Sequence, residues 1–436
     1  MALLEKRTEI YPHYRVHVVP INKFKTISLI VHMRQSIKDE NLAKRALMPY
    51  VLQSATENLP SAKEIRQHLE QLYGMTLSVD LMKKGDYHVI AFRAEIGHEK
   101  FLLTEENILE KAVELLADVI LRPKGRIEKA FDPEVVRKEK RSLKQKIQAI
   151  YDDKIRYANM RLIEEMFEND PYGQIVYGNL EEIDAIDEHS LFTYYEQALV
   201  RDSIDLYVVG DVSHHDIQPL IKKHFTFPPE RKEHVHAASQ SNLLLHRDAK
   251  EVIDEQEVNQ GKLNIGYRTN TRFQDEDYSA LQVFNGIFGG FSHSKLFINV
   301  REKESLAYYA SSQIESHKGL LIVMSGIDPA NYQLTLAIIR EQMEKMKRGD
   351  FTDDELLQTK TMLVNQWLES VDDPRGIVNF LYNEIIANRT ASLDDMIQGI
   401  ERVTREDVVN VAKKIELDTI YFLKGKEAGK VEKSSV

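Results

Sequence analysis

The chain has no cysteine among its 436 residues. That one absence excludes disulfides, thiolate zinc sites and a cysteine nucleophile together. Long apolar runs are missing too, so no stretch reads as a bilayer span. Met1-Ala-Leu-Leu-Glu-Lys-Arg-Thr lacks the apolar core of a signal peptide, and a cytoplasmic location is expected. Positive charge is in short supply, with 58 Lys and Arg against 69 Asp and Glu and a net charge of -11. Such a balance argues against nucleic acid as a general partner.

What is present is globular: 42% hydrophobic and 29% charged residues, in a chain too long for one core. Tyr14 to Val19 and Thr26 to Met33 read as strands. Asn41 to Asn58 is predicted as an apolar helix that Pro49 must kink or start. Ser61-Ala-Lys-Glu opens another helix with a capping-box pattern. Leu77 to Met82 and His88 to Ile96 form a strand pair around Lys83-Lys-Gly-Asp. Asp132-Pro133 starts a long helix running towards Asp152-Asp153, and Leu206 to Gly210 closes this half with a strand.

The second half repeats that order. Leu263 to Tyr267 is a strand, Gly319 to Ser325 pairs with Ala307 to Ser312, and Leu336, Ile339, Met343 and Met346 mark a helix. Thr352-Asp-Asp-Glu355 and Thr404-Arg-Glu-Asp407 are helix starts. Phe131 and Phe351, Asp152 and Asp372, and Asp153 and Asp373 are separated by one common spacing. Acidic helix starts are common, but the shared order of elements points to an internal duplication. The expected fold is α+β: two homologous domains, each an antiparallel sheet with helices on one face. Their bounds are 1–225 and 249–436, joined by a Pro228-Pro229-bearing linker at 226–248, with a polar tail from Gly425.

The stretch with most to say about function runs from Gly286 to Tyr309. A helix carrying Leu281, Val283, Phe284 and Ile287 breaks at Gly289-Gly290. A short helix with Leu296, Phe297 and Val300 follows, and Leu306-Ala-Tyr-Tyr-Ala is a strand. Arg301 and Tyr308 thus sit at a helix end and on the strand it feeds. On pattern alone, Arg301 reads first as a solvated helix-end arginine and Tyr308 or Tyr309 as a core tyrosine. Gly286-x-x-Gly-Gly follows a helix and lacks the Lys-Ser/Thr of a phosphate loop, so it reads as a turn.

This stretch resembles the C-terminal-domain signature of the pitrilysin/insulinase superfamily of zinc peptidases, in its mitochondrial processing peptidase branch. There a Gly-Gly-x-Ser turn leads through a Leu-Phe helix to Arg-Glu-Lys and Leu-Ala-Tyr. The resemblance implies a substrate-contacting pair at Arg301 and Tyr308, with Tyr309 as the alternative phenol. It also implies a flexible glycine-rich loop at Gly286, Gly289 and Gly290, and a duplication of the LuxS/processing-peptidase kind. Pro171-Tyr-Gly through Gly178-x-x-Glu-Glu-Ile and Val208-Val-Gly-Asp-Val extend the likeness over nearly the whole chain.

The zinc-dependent members carry His-x-x-Glu-His on the first helix, two ligands on one face with a glutamate beside the metal-bound water. The matching helix here, Ala43 to Thr56, contains no histidine and no carboxylate. The expected third-ligand region is Leu143-Lys-Gln145-Lys146-Ile147, where lysine stands near the family's glutamate. Glu139 looks like a nearby Glu-Lys pair that the family also has. No metal is therefore expected in this chain. His13 and His17 lie in a strand, too far apart for ligand spacing. His214-His215, His234 and His236 have no acidic partner at such spacing.

An absent zinc motif beside an intact arginine–tyrosine pair is similar to the non-catalytic subunits of heterodimeric members, above all the YmfF-type branch. The resemblance implies two bowl-shaped halves around a chamber, with zinc and general base supplied by a YmfH-type partner. Peptide or unfolded protein would be the substrate, and a homodimer is an option in isolation. The resemblance leaves open an inert scaffold supporting elongation factor P modification, and a solitary metallopeptidase with unusual ligands.

Overall fold

The computed structural model describes residues 6–38, 41–103, 106–213, 215–228 and 249–425. The expected linker lies outside these from residue 229 to 248, as do His214, His234, His236 and the tail beyond Gly425. The chain divides into two compact units, neither of them a continuous half. The first comprises Met1–Ala149, Gln174–Ser239 and Ser370–Ser392; the second comprises Ile150–Gly173, Gln240–Glu369 and Leu393–Val436. Against halves at 1–225 and 249–436, each unit thus carries one segment from the other half.

The first unit holds strands β1 (Arg7–Ile10), β2 (Arg15–Pro20), β3 (Thr26–Ser36), β4 (Thr76–Lys84), β5 (Tyr87–Gly97) and β6 (Ser203–Gly210). They line up as β1-β2-β6-β3-β5-β4. Gly85, at a φ of +54°, makes the turn that joins β4 to β5. Pairing is antiparallel except between β2 and β6, which run parallel.

One-sided strands alternate buried and exposed, yet β3 is buried through most of its length. Leu29, Val31, Met33 and Phe92 pack into the core formed with helices Leu42–Leu52 and Ile108–Leu121. His32 and Tyr207 point to the other face, which helix Pro374–Ala387 covers. The Tyr382 ring meets His32 edge-on at 4.2 Å and lies 6.4 Å from Tyr207. That helix thus packs on the second face over His32 of β3 and Tyr207 of β6.

That helix begins at Asp373, whose carboxylate accepts from the Gly376 amide. Its counterpart, Lys154–Met166, begins at Asp153, which accepts from Ile155 and Arg156. The repeated aspartates of the sequence therefore cap the two helices that the units exchange.

Burial of histidine sets a pH limit on the first unit. His32 and His88 are buried, and desolvation pushes both pKa values down to about 3 from 6.5. The unfolded chain binds two protons there that the native chain does not, so stability falls as pH drops from 6.5 towards 3. Between about pH 7.5 and 5.5, above the range of ordinary carboxylates, each histidine should cost about 1.4 kcal/mol. Urea midpoints measured across that window should fall with pH; a flat profile would contradict it. Asp205 acts lower down. Burial alone would raise its pKa, but the His17 hydrogen bond at 3.1 Å and the Arg15 guanidinium at 2.7 Å hold it well below the carboxylate range.

The second unit holds β7 (Lys250–Gln256), β8 (Gly261–Arg268), β9 (Ala307–Glu315), β10 (Leu320–Ile327) and β11 (Glu416–Gly425), in the order β7-β11-β8-β10-β9. Again one pair, β7 with β11, is parallel. Helix Lys154–Met166 packs on β8 and β11. Gly266 leaves room beneath it for the Met166 side chain, whose sulfur would stand 2.2 Å from a Cβ there. Arg268 donates to the Met166 carbonyl at 2.9 Å and to Asp418 at 2.8 Å, fixing the end of the exchanged helix to the sheet.

Candidate functional site

Helix Tyr278–Asn285 does not stop at the glycines. It continues as a π-helical turn, Gly286–Gly290, in which Gly286 and Gly289 are buried. A Cβ on Gly289 would lie 2.4 Å from the Ser312 hydroxyl, and one on Gly286 would lie 2.4 Å from the Thr359 methyl. The residues expected to form a glycine-rich loop therefore form a closely packed helical turn, because only glycine lets this backbone approach β9. Gly290 is exposed at its end.

A second π-helical segment, Phe297–Lys303, buries Val300 and turns Arg301 outward. The Arg301 side chain is 44% exposed, its Nε 3.5 Å from Glu302 and its guanidinium 4.7 Å over the Phe297 ring. Ser305, at a φ of +51°, and the bond from the Leu306 amide to the Val300 carbonyl at 3.1 Å turn the chain into β9. Tyr308 stands at the start of that strand and is 74% exposed.

Strand facing separates the two tyrosines. Tyr309 pairs with Gly326, over which its ring lies: a Cβ there would come 2.4 Å from the ring. The Lys262 ammonium sits 5.7 Å from the ring centre. Burial, with Asp153 adding to it, pushes the Tyr309 pKa up to about 12. Its hydroxyl has no hydrogen-bond partner among the described residues. Tyr308 is thus the solvent-facing phenol. Among the described residues no hydrogen bond joins it to Arg301.

The other half of the expected chemistry falls in the first unit. Helix Leu42–Leu52 ends six residues before the predicted Asn58, and Pro49 lies within its last turn. Leu42, Ala46, Leu47, Met48, Val51 and Leu52 bury the helix, and Arg45 is fully buried with them. It pairs with Asp202 at 2.8 Å, donates to the Met33 carbonyl at 2.9 Å and contacts His88 Nδ1 at 3.2 Å. A lone arginine inside an apolar helix was the visible signal for this network. Its partners, distant in sequence, gave none.

Tyr50 on this helix meets Lys146 on helix Pro133–Asp152, the ammonium 3.7 Å from the ring centre. The two segments that would share a zinc ion in the catalytic members are thus neighbours. They offer an ammonium and a phenol instead of imidazole and carboxylate. A cation at that point repels a metal ion, and the donor set does not fit zinc. Among the described residues no group of three or more His, Asp or Glu is placed to hold a metal. His17, His98, His215 and His224 each face a single carboxylate, at 3.1, 3.9, 3.4 and 3.6 Å.

The family model described as "Peptidase M16 inactive domain" matches residues 185–363. "Probable inactive metalloprotease YmfF" of Bacillus subtilis is 49% identical over 415 residues, covering 94% of this chain and 96% of that protein. The chain belongs to the M16 peptidase family. A solved structure, of a conserved protein from Enterococcus faecalis V583, shares 32% identity at a TM-score of 0.88, covering 97% of this chain and 99% of that one. The "Antilisterial bacteriocin subtilosin biosynthesis protein AlbE" of Bacillus subtilis is 24% identical over 298 residues, 68% of this chain and 73% of that protein. Within the M16 family the chain is thus similar to a protein named as a probable inactive metalloprotease and to the domain described as inactive. Among the described residues no helix is long and apolar enough to cross a membrane.

Proposed function

We propose that the chain is the non-catalytic, substrate-binding subunit of a heterodimeric zinc peptidase. A YmfH-type paralogue bearing the zinc motif is its partner. Arg301 and Tyr308 hydrogen-bond the substrate carbonyl, or the oxyanion that forms from it, while the partner supplies metal and general base. The observation that carries this reading is a contrast within one chain: the segments for zinc hold Lys146 against Tyr50, whereas Arg301 and Tyr308 remain exposed. A guanidinium is a fixed fork of donors and a phenol a neutral donor, both suited to a developing oxyanion. A relative named for bacteriocin biosynthesis is in keeping with a peptide substrate.

Assembly tests the proposal directly. Tagged chain recovered from its native cell should bring down one paralogue containing His-x-x-Glu-His. Zinc measured in the complex should be about one ion per pair, and the isolated chain should hold none. A stoichiometric ion in the isolated chain would refute the division of labour. Recovery with no zinc-bearing paralogue would favour the inert scaffold.

A further inference from the structure

Helix Pro133–Asp152 is basic within an acidic chain. It carries Arg137, Lys138, Lys140, Arg141, Lys144 and Lys146 against Glu134, Glu139 and Asp152. Most of these cations are spoken for. Arg137 pairs with Glu134, Lys138 with Glu139 at 3.1 Å, and Lys144 with Asp184. Lys140 donates to the carbonyls of Asp184 and Ile186 at 3.0 and 2.7 Å.

Lys146 differs from them. Its ammonium is held at 3.7 Å over the Tyr50 ring, with Tyr177 and Glu139 close enough to act on it electrostatically. Among the described residues it has no ion pair and no hydrogen-bond acceptor. Glu139, the carboxylate that could neutralise it, is engaged by Lys138. Desolvation lowers the Lys146 pKa, against the pull of Tyr177 and Glu139. The ring positions the nitrogen but accepts none of its three N–H donors in the ordinary sense. Lys146 is exposed, and an exposed ammonium with free donors, seated on an aromatic, suits pairing with a carboxylate.

We infer that Lys146, seated on Tyr50, binds a carboxylate of the peptide substrate. This rests on the peptide-binding reading above and adds to it a charge requirement at the segments that replace the zinc site. The carboxylate comes either from the peptide C-terminus or from an Asp or Glu side chain. A single positioned ammonium serves both.

The test uses the full chain and four pools of N-acetylated decapeptides: free-acid or C-terminally amidated, each with and without acidic residues. Calorimetry should show at least ten-fold tighter binding of pools that carry the right carboxylate. Dependence on the free terminus assigns the C-terminal source; dependence on acidic residues assigns the side chain. Lys146→Met keeps the apolar stem and should reduce the preference to within two-fold. Lys146→Arg should retain most of it. Equal binding of all four pools would overturn the inference and leave peptide binding standing. A preference that survives in Lys146→Met would overturn it in the same way. Failure of every pool to bind would overturn both readings.

Discussion

Arg301→Ala should lower turnover of the reconstituted pair by about 10²–10³-fold, and Tyr308→Phe should do so to a similar degree. Removal of one preorganised donor from a developing oxyanion typically costs ~2.7–4 kcal/mol of transition-state stabilisation. The loss belongs in kcat, because a donor aimed at the oxyanion strengthens as charge develops and does little for the ground state. Folding should be unaffected. Arg301 and Tyr308 are both well exposed, and the contacts Arg301 would forfeit are a surface ion pair with Glu302 and a ring contact with Phe297. The pair should therefore still assemble on a gel-filtration column.

Tyr309→Phe supplies the internal comparison. Its hydroxyl is without a partner and faces the opposite side of β9, so its removal should leave turnover within about two-fold. A loss at Tyr309 with none at Tyr308 would reassign the role to the neighbouring phenol. Unchanged kcat in both Arg301→Ala and Tyr308→Phe would remove the arginine–tyrosine pair from the mechanism.

The largest stability effect should come from Arg45→Met. The substitution removes the guanidinium that stands 2.8 Å from Asp202, a carboxylate almost entirely buried. An uncompensated buried charge costs about 3–5 kcal/mol, more than any surface pair of this chain could return. The urea transition that reports on the first unit should move to markedly lower concentration. Adding Asp202→Leu should recover much of the loss, since an apolar replacement of a whole buried pair is commonly near neutral. A midpoint unchanged in the single variant would mean that water reaches the pair. No recovery in the double variant would mean that the bonds to Met33 and His88 carry the network instead.

Much of the local structure was legible because its causes are local. Ser61, Thr352 and Thr404 each accept from the amide three residues on, as their spacing to Glu64, Glu355 and Asp407 predicts. The hairpin of β9 and β10 pairs Ser312 with Val323 and Ala310 with Ser325, inside the predicted segments. Leu336, Ile339, Met343 and Met346 are all buried on one face of their helix. Helix Leu42–Leu52 is shorter than expected because the polar run after it, Gln53 to Asn58, bonds elsewhere: the Thr56 amide donates to the Leu59 carbonyl and the Glu57 amide to the Arg122 carbonyl, both at 2.9 Å. The glycines read as a turn because their sequence marks a permissive backbone. Whether that freedom serves motion or close packing depends on Ser312 and Thr359, which lie elsewhere in the chain.

The sequence by itself determined the helix caps, the strand pairs joined by short turns, the duplication, and the loss of zinc ligands, for each depends on residue types at fixed short spacing. Only the tertiary structure decided that the duplicated aspartates start exchanged helices, that β2 and β6 run parallel, and that Tyr308 rather than Tyr309 meets solvent. It alone brought Lys146 onto Tyr50 and buried Arg45 against Asp202. Those outcomes follow from which apolar faces are covered and which distant charges must be neutralised, and no local pattern records either.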